Sequence, residues 1–174
     1  MRILSEIKFI ISTIFLYLCL FSQAYSFDTK ARAAYVIDQS SGTILLSKNS
    51  DQPLPPASMS KLMTLYMTFE FIEAGRLGLD EKLPVSKNAA NYTGSTMFLN
   101  PTDRVAVEDL LRGIIVLSGN DACAVIAEAL SPDGTEAGFA KIMTERGKQI
   151  GLKNSTFKNS NGWPADGHQM SVRD

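Results

Sequence analysis

The segment PPASMSKLMT, Pro55 to Thr64, brings two serines and a lysine into ten residues. Pro55 and Pro56 cannot sit inside a helix but can precede one, so a helix starts near Ala57 or Ser58. Ser58 then lies where free backbone N–H groups and the helix dipole favour developing negative charge. Lys61, three residues on, falls on the same face one turn away, and Ser60 points elsewhere. An alcohol attacks an amide only when a base takes its proton; an ammonium cannot serve, whereas a neutral amine can. At the buried start of an apolar helix the charged form of a lysine is disfavoured by desolvation, which lowers its pKa toward the working range. Ser58 is therefore the candidate nucleophile and Lys61 its candidate general base, both expected to be sheltered from solvent. A serine N-cap beside an exposed first-turn lysine satisfies the same four letters, so the motif needs support from elsewhere.

That support comes sixty residues later, in LSGNDA, Leu117 to Ala122, a polar break between two apolar runs. A plain interhelical loop would use Gly119 in this way. The functional reading has Ser118 relaying a proton to a leaving amine and the Asn120 carboxamide binding a substrate backbone.

The elements that must hold these residues follow from periodicity. Ala33 to Asp38 and Thr43 to Ser47 read as strands joined by a turn at Gln39 to Gly42. From Met59 to Ile72 the apolar residues fall at helical spacing, and Gly75 ends the run. This helix is apolar nearly all round and is expected at the centre of the domain. VEDLLRGIIVL and DACAVIAEAL are helices on either side of Ser118 to Asn120. TEAGFAKIMTERGKQIGL is an amphipathic helix with Glu136 and Lys141 among its exposed charges and Gly151 past its end. The stretch between Arg76 and Val107 is mostly loop, and SVRD reads as the opening of a further helix with Ser171 as N-cap.

The chain has 174 residues, enough for one domain with a core. With 45% hydrophobic and 20% charged residues it has globular composition, and a net charge of −1 gives no reason to expect a nucleic-acid or anionic-membrane partner. His168 is the only histidine and no Cys/His cluster occurs, so no metal site of that kind is expected. Residues 1–26 read as a signal peptide. Arg2 and Lys8 precede an apolar run from Phe9 to Phe21, and Ala24 and Ser26 supply small residues for cleavage before Phe27. An uncleaved anchor is the alternative, but the run is short of the roughly 20 residues that a span needs. Export to the periplasm, at the outer face of the inner membrane, is the expectation. Cys19 leaves with the signal, and Cys123, in an apolar helical context, reads as a small buried hydrophobe.

An S-x-x-K motif joined by S-x-N and a later K-T-G is the active-site set of penicillin-binding proteins and class A β-lactamases. With Ser58–Lys61 and Ser118–Asn120 in place, the chain resembles the D-alanyl-D-alanine carboxypeptidases, low-molecular-mass penicillin-binding proteins of serine peptidase family S11. AAYVIDQSSGTILLSKNSDQPLPPASMSKLMT, STMFLNPTDRVAVEDLLRGIIVLSGNDACAVIAEAL and GLKNSTFKNSNGWPADGHQMSVRD all resemble the family pattern in order and spacing, from about Ala33 onward.

The resemblance implies an α+β, β-lactamase/transpeptidase-like fold, an antiparallel sheet flanked by helices. Residues 27–174 would be the N-terminal portion of that domain, stopping before the later strands. It implies Ser58 as the acylated nucleophile on the terminal D-Ala-D-Ala bond of peptidoglycan stem peptides, with its backbone N–H as half of the oxyanion hole. Lys61 would be the general base, with Ser118 and Asn120 as the second motif. β-Lactam antibiotics would acylate the same serine, and no cofactor or metal is implied. Membrane association would come only through a C-terminal anchor.

Lys-Thr-Gly is expected after Asp174 and does not occur in this sequence. A catalytically inactive peptidoglycan-binding remnant is therefore one alternative, and a cross-link-cutting endopeptidase of the same family is another. A class A β-lactamase would need a Glu-x-x-Leu-Asn setting, which is not found downstream of Asn120. In the segment GHQMSVRD, which resembles the family pattern, His168 and Arg173 are expected to shape the following helix. Trp163 is expected to pack, and Asn91 to Asn100 to line the cleft.

Overall fold

In the computed structural model, residue 27 and residues 29–174 are described, so the signal-peptide reading of 1–26 lies outside them. The chain divides into two units, Met1–Ala31 and Arg32–Asp174, and every candidate site residue lies in the second.

Strands β1 (Ala34–Ile37) and β2 (Ile44–Lys48) form the expected antiparallel hairpin, with Ala34 opposite Lys48 and a bulge at Val36/Ile37. Its turn is built on Asp38, whose Oδ1 accepts the N–H groups of Ser40 and Ser41. A second ribbon pairs β3 (Lys82–Pro84) with β4 (Arg104–Ala106). Five helices follow the hairpin: α1 (Lys61–Glu73), α2 (Lys87–Ala90), α3 (Val107–Leu117), α4 (Asn120–Leu130) and α5 (Glu136–Gln149). This mixture of ribbons and helices is α+β.

The central helix is α4, not α1 as the apolar pattern predicts. From Ala122 to Ala127 every side chain of α4 is buried, and most are Ala or Cys, small enough for neighbouring helices to approach closely. Leu110, Ile114, Phe139 and Met143 close around it. Helix α1 buries only one face, Met63, Thr64, Met67 and Thr68, leaving Leu62 57% and Phe69 49% exposed. Apolar spacing states that a face requires cover; it does not say what supplies it, and among the described residues nothing covers that face. An apolar groove of about 830 Å³ runs along it past Tyr35, Leu54, Met59 and Met170.

Glu136 also departs from expectation. It is half-buried, because its carboxylate is engaged by residues from two other segments. The segment after α5 is pinned by backbone bridges, Leu54 with Met170 and Thr156 with Gln169. Ser171 Oγ accepts the Asp174 N–H at 3.3 Å, as an N-cap would, but no helix is formed over residues 171–174. Arg173 is latched to Asp51 at 2.6 Å and lies over the Tyr35 ring, which ties this segment to the hairpin.

Candidate active site

The proline pair delays the α-helix. Ala57–Ser60 form a 3₁₀ turn and α1 begins only at Lys61. In a 3₁₀ turn residues three apart eclipse one another, which stacks Ser58 and Lys61 directly. Lys61 Nζ lies 2.9 Å from Ser58 Oγ and 3.0 Å from the Asn161 carbonyl oxygen. From the other side Ser118 Oγ lies 3.0 Å from Ser58 Oγ. The structure thus brings together the candidate nucleophile, an amine and a second hydroxyl from two motifs sixty residues apart.

The amine and the alcohol differ in environment. Lys61 is 4% exposed, and burial pushes its pKa below the ordinary lysine value. Ser58 is exposed, contrary to expectation; it sits on the outer side of a turn that no described segment covers. A neutral Lys61 amine can donate one N–H to the Asn161 carbonyl and present its lone pair to the Ser58 O–H. An ammonium would donate to both. The Asn161 carbonyl takes one of the amine's two hydrogens and anchors the nitrogen beside Ser58, leaving the lone pair free to face the hydroxyl.

The turn is held in an unfavourable conformation. Ala57 has φ +48° and Ser118 φ +56°, left-handed values that cost a non-glycine residue on the order of 1–3 kcal/mol each. Ser118 closes α3 in this conformation, its N–H donating to the Gly113 carbonyl, and so its hydroxyl is aimed across the break at Ser58. Against the other side of the turn lies Gly162, whose Cα approaches so near that a Cβ would stand 1.7 Å from the Ala57 carbonyl oxygen.

Asn120 begins α4 and is nearly buried. Its Nδ2 donates to the Thr93 carbonyl at 2.9 Å and its N–H to the Ser95 carbonyl at 2.8 Å. Here its amide holds the 91–100 loop against the site. Asp121 works on the same loop: its buried carboxylate accepts the N–H groups of Met97 at 3.0 Å and Leu99 at 3.2 Å. Trp163 packs edge-on to Tyr92 but remains 44% exposed, so it lines the surface beside the site as well as packing.

Ser60 is buried and bonded to His168, Oγ to Nε2 at 2.7 Å, which settles that the two serines of PPASMSKLMT have separate surroundings. Since His168 Nδ1 accepts the Lys158 N–H, Nε2 carries the proton and donates to Ser60. Burial holds the His168 pKa below its ordinary value, consistent with a neutral structural ring. Cys123 is fully buried and burial pushes its thiol pKa far up, as the hydrophobe reading requires.

The family model for D-alanyl-D-alanine carboxypeptidase, peptidase S11, matches residues 21–174. The chain belongs to the S11 D-alanyl-D-alanine carboxypeptidase family. It is 39% identical over 145 residues to the D-alanyl-D-alanine carboxypeptidase DacF of Bacillus subtilis (strain 168). Over 150 residues it is 37% identical to DacC of Escherichia coli (strain K12). Each match covers 83% of this chain and 37% of the relative, so the chain spans well under half the length of these family members. Among solved structures it resembles the carboxypeptidase DacD of Francisella tularensis, with a TM-score of 0.81 and 35% identity. That match covers 85% of this chain and 35% of the other. Penicillin-binding protein D2 of Listeria monocytogenes in its ampicillin-bound form matches with a TM-score of 0.71 and 29% identity. The match covers 82% of this chain and 57% of that protein. The S11 likeness thus extends to the penicillin-binding, transpeptidase-like fold. Among the described residues no helix is long and apolar enough to cross a membrane.

Motif reading missed Asn161, Gly162, Asp121 and Glu136. Asn161 and Gly162 act through backbone atoms, which carry no side-chain signature. Asp121 stood in view in LSGNDA, where an acid in a first helical turn is ordinary.

Proposed function

We propose that this chain carries the acylating machinery of a serine-type D-Ala-D-Ala carboxypeptidase, residues 27–174 being the front of the catalytic domain, exported by residues 1–26. One observation carries the reading: a buried amine within 2.9 Å of an exposed serine hydroxyl, with the Ser118 hydroxyl 3.0 Å away on the other side.

Ser58 Oγ attacks the carbonyl carbon of the bond joining the last two D-alanines of a stem peptide. Its proton passes to neutral Lys61, whose nitrogen the Asn161 carbonyl anchors beside it. As the C–N bond breaks, Ser118 gives its proton to the departing D-alanine amine and is reprotonated from Lys61. The product is an ester on Ser58 and free D-alanine. Water then cleaves the ester, releasing the shortened peptide and restoring Ser58. Asn120 is the side chain we assign to the substrate backbone, through the amide hydrogen and oxygen that its bond to Thr93 does not use. A β-lactam presents a strained amide to the same oxygen, and its ring opening leaves the leaving nitrogen tethered, so the acyl-enzyme persists. Lysine as base explains how a chain with one histidine, itself bonded to Ser60, could run acyl transfer.

A fluorescent penicillin tests this. Covalent labelling is expected for the wild type and for Ser60→Ala, with none for Ser58→Ala. Labelling that persists in Ser58→Ala overturns the assignment. Rapid multiple turnover of benzylpenicillin would place the chemistry with β-lactamases instead.

A further inference from the structure

Two loops flank the Ser58–Lys61–Ser118 cluster, and both are tied to one carboxylate. Glu136 is the first residue of α5. Its Oε1 accepts the Ser160 N–H at 3.0 Å and the Ser160 hydroxyl at 2.6 Å, and its Oε2 accepts the Tyr92 hydroxyl at 2.6 Å. Ser160 is followed by Asn161, whose carbonyl faces Lys61 Nζ. Tyr92 is followed by Thr93, whose carbonyl faces the Asn120 amide. A shift of either anchor is passed on, one peptide later, to a group in contact with a candidate catalytic or binding side chain.

An acid in the first turn of a helix commonly does no more than face the helix dipole. That role needs no partner, and the end of α5 already has one: the Thr135 hydroxyl accepts the Gly138 N–H. Glu136 instead turns inward and takes three donors from segments 24 and 44 residues away. The Ser160 peptide is clamped from its other side as well, its carbonyl accepting the Thr64 hydroxyl at 2.6 Å. Ser160 is fully buried, so removing the carboxylate strands two donors away from water, and the loop must move to satisfy them. Tyr92 stays a neutral donor, because burial first and the Glu136 contact second push its pKa up.

We propose that Glu136 is a positioning residue for the acylation step. Through Ser160 it fixes the carbonyl that orients Lys61, and through Tyr92 the carbonyl that holds Asn120. This rests on the function proposed above, and the experiment separates the two. Wild type, Glu136→Ala, Glu136→Gln and Tyr92→Phe are compared in three measurements: thermal melting, the pH profile of fluorescent-penicillin acylation, and the titration of the Lys61 Cε resonance in lysine-labelled protein.

Glu136→Ala is expected to acylate on the order of 100-fold more slowly, as for a misplacement of about 1 Å. Its Lys61 titration midpoint is expected to move. Glu136→Gln keeps an acceptor oxygen for Ser160 without the charge, and is expected to retain the wild-type midpoint and a rate within about fivefold, since geometry and not charge is the cause. Tyr92→Phe is expected to slow acylation with the Lys61 midpoint unchanged, since it releases only the Asn120 side.

A Glu136→Ala protein that melts lower yet keeps the wild-type rate and midpoint overturns the proposal. So does a Glu136→Gln protein as impaired as Glu136→Ala, because the effect would then be electrostatic. Should Glu136→Ala not fold, Glu136→Gln and Tyr92→Phe decide on the same criteria. Should the wild type not be labelled at all, the proposed function fails, while the Lys61 midpoints still decide whether Glu136 positions that amine.

Discussion

Gly162→Ala should separate the placement of the nucleophile from the stability of the fold. A Cβ at this position would stand 1.7 Å from the Ala57 carbonyl oxygen and 2.3 Å from its carbon. Restoring a non-bonded contact of about 3.5 Å requires the two segments to part by roughly 1.8 Å. One of those segments carries Ser58 and the other carries the Asn161 carbonyl that holds Lys61. The backbone there has φ +86°, which adds about 1–2 kcal/mol for a residue with a side chain. A misplacement of about 1 Å in a reacting group costs on the order of 100-fold in rate, or about 2.7 kcal/mol of barrier.

Acylation of Gly162→Ala by a fluorescent penicillin is therefore expected to fall by about 100-fold or more. Gly42→Ala is the control. Gly42 has φ +72° with nothing within 4 Å of the added carbon, so it carries the backbone penalty without the clash. It should melt lower and acylate as wild type does. A folded Gly162→Ala protein that acylates within about threefold of wild type would refute the claim that this close approach sets the position of Ser58.

Acylation should rise with pH and level off below the ordinary lysine range, because the proposed mechanism uses the neutral Lys61 amine and burial lowers its pKa. The same shift has a stability consequence. The unfolded chain binds a proton that the folded chain has already lost, so between the folded Lys61 pKa and 10.5 stability gains with rising pH from this group. Lys61→Met should remove that contribution, read by chemical denaturation across the window, and should abolish acylation. Cys123 should resist thiol reagents in native protein and react only on unfolding, since burial disfavours its thiolate; rapid native labelling would contradict the packing of α4.

Local rules were enough for the candidate nucleophile and its candidate base. Proline exclusion and a three-residue spacing act within one turn, so Ser58 and Lys61 were legible as a pair, and so was the hairpin around Asp38. The left-handed glycine at Gly75 marked the end of α1 for the same reason. The break at Ser118–Asn120 was legible as chemistry only because two motifs stood together. Which helix lies at the centre was not legible. An apolar stripe on α1 and a run of small residues on α4 each state a demand for neighbours, and burial depends on which demand other segments meet.

The chain alone thus determined which groups could react and which of them are neighbours along one turn, since those relations span three or four residues and follow from backbone geometry. The tertiary structure alone decided that Lys61 is buried, that Ser118 faces Ser58, and that Asn161, Gly162 and Glu136 pack where they do around them. Desolvation, and contacts across 60 to 100 residues, are properties of what packs against a side chain, and no local pattern carries them.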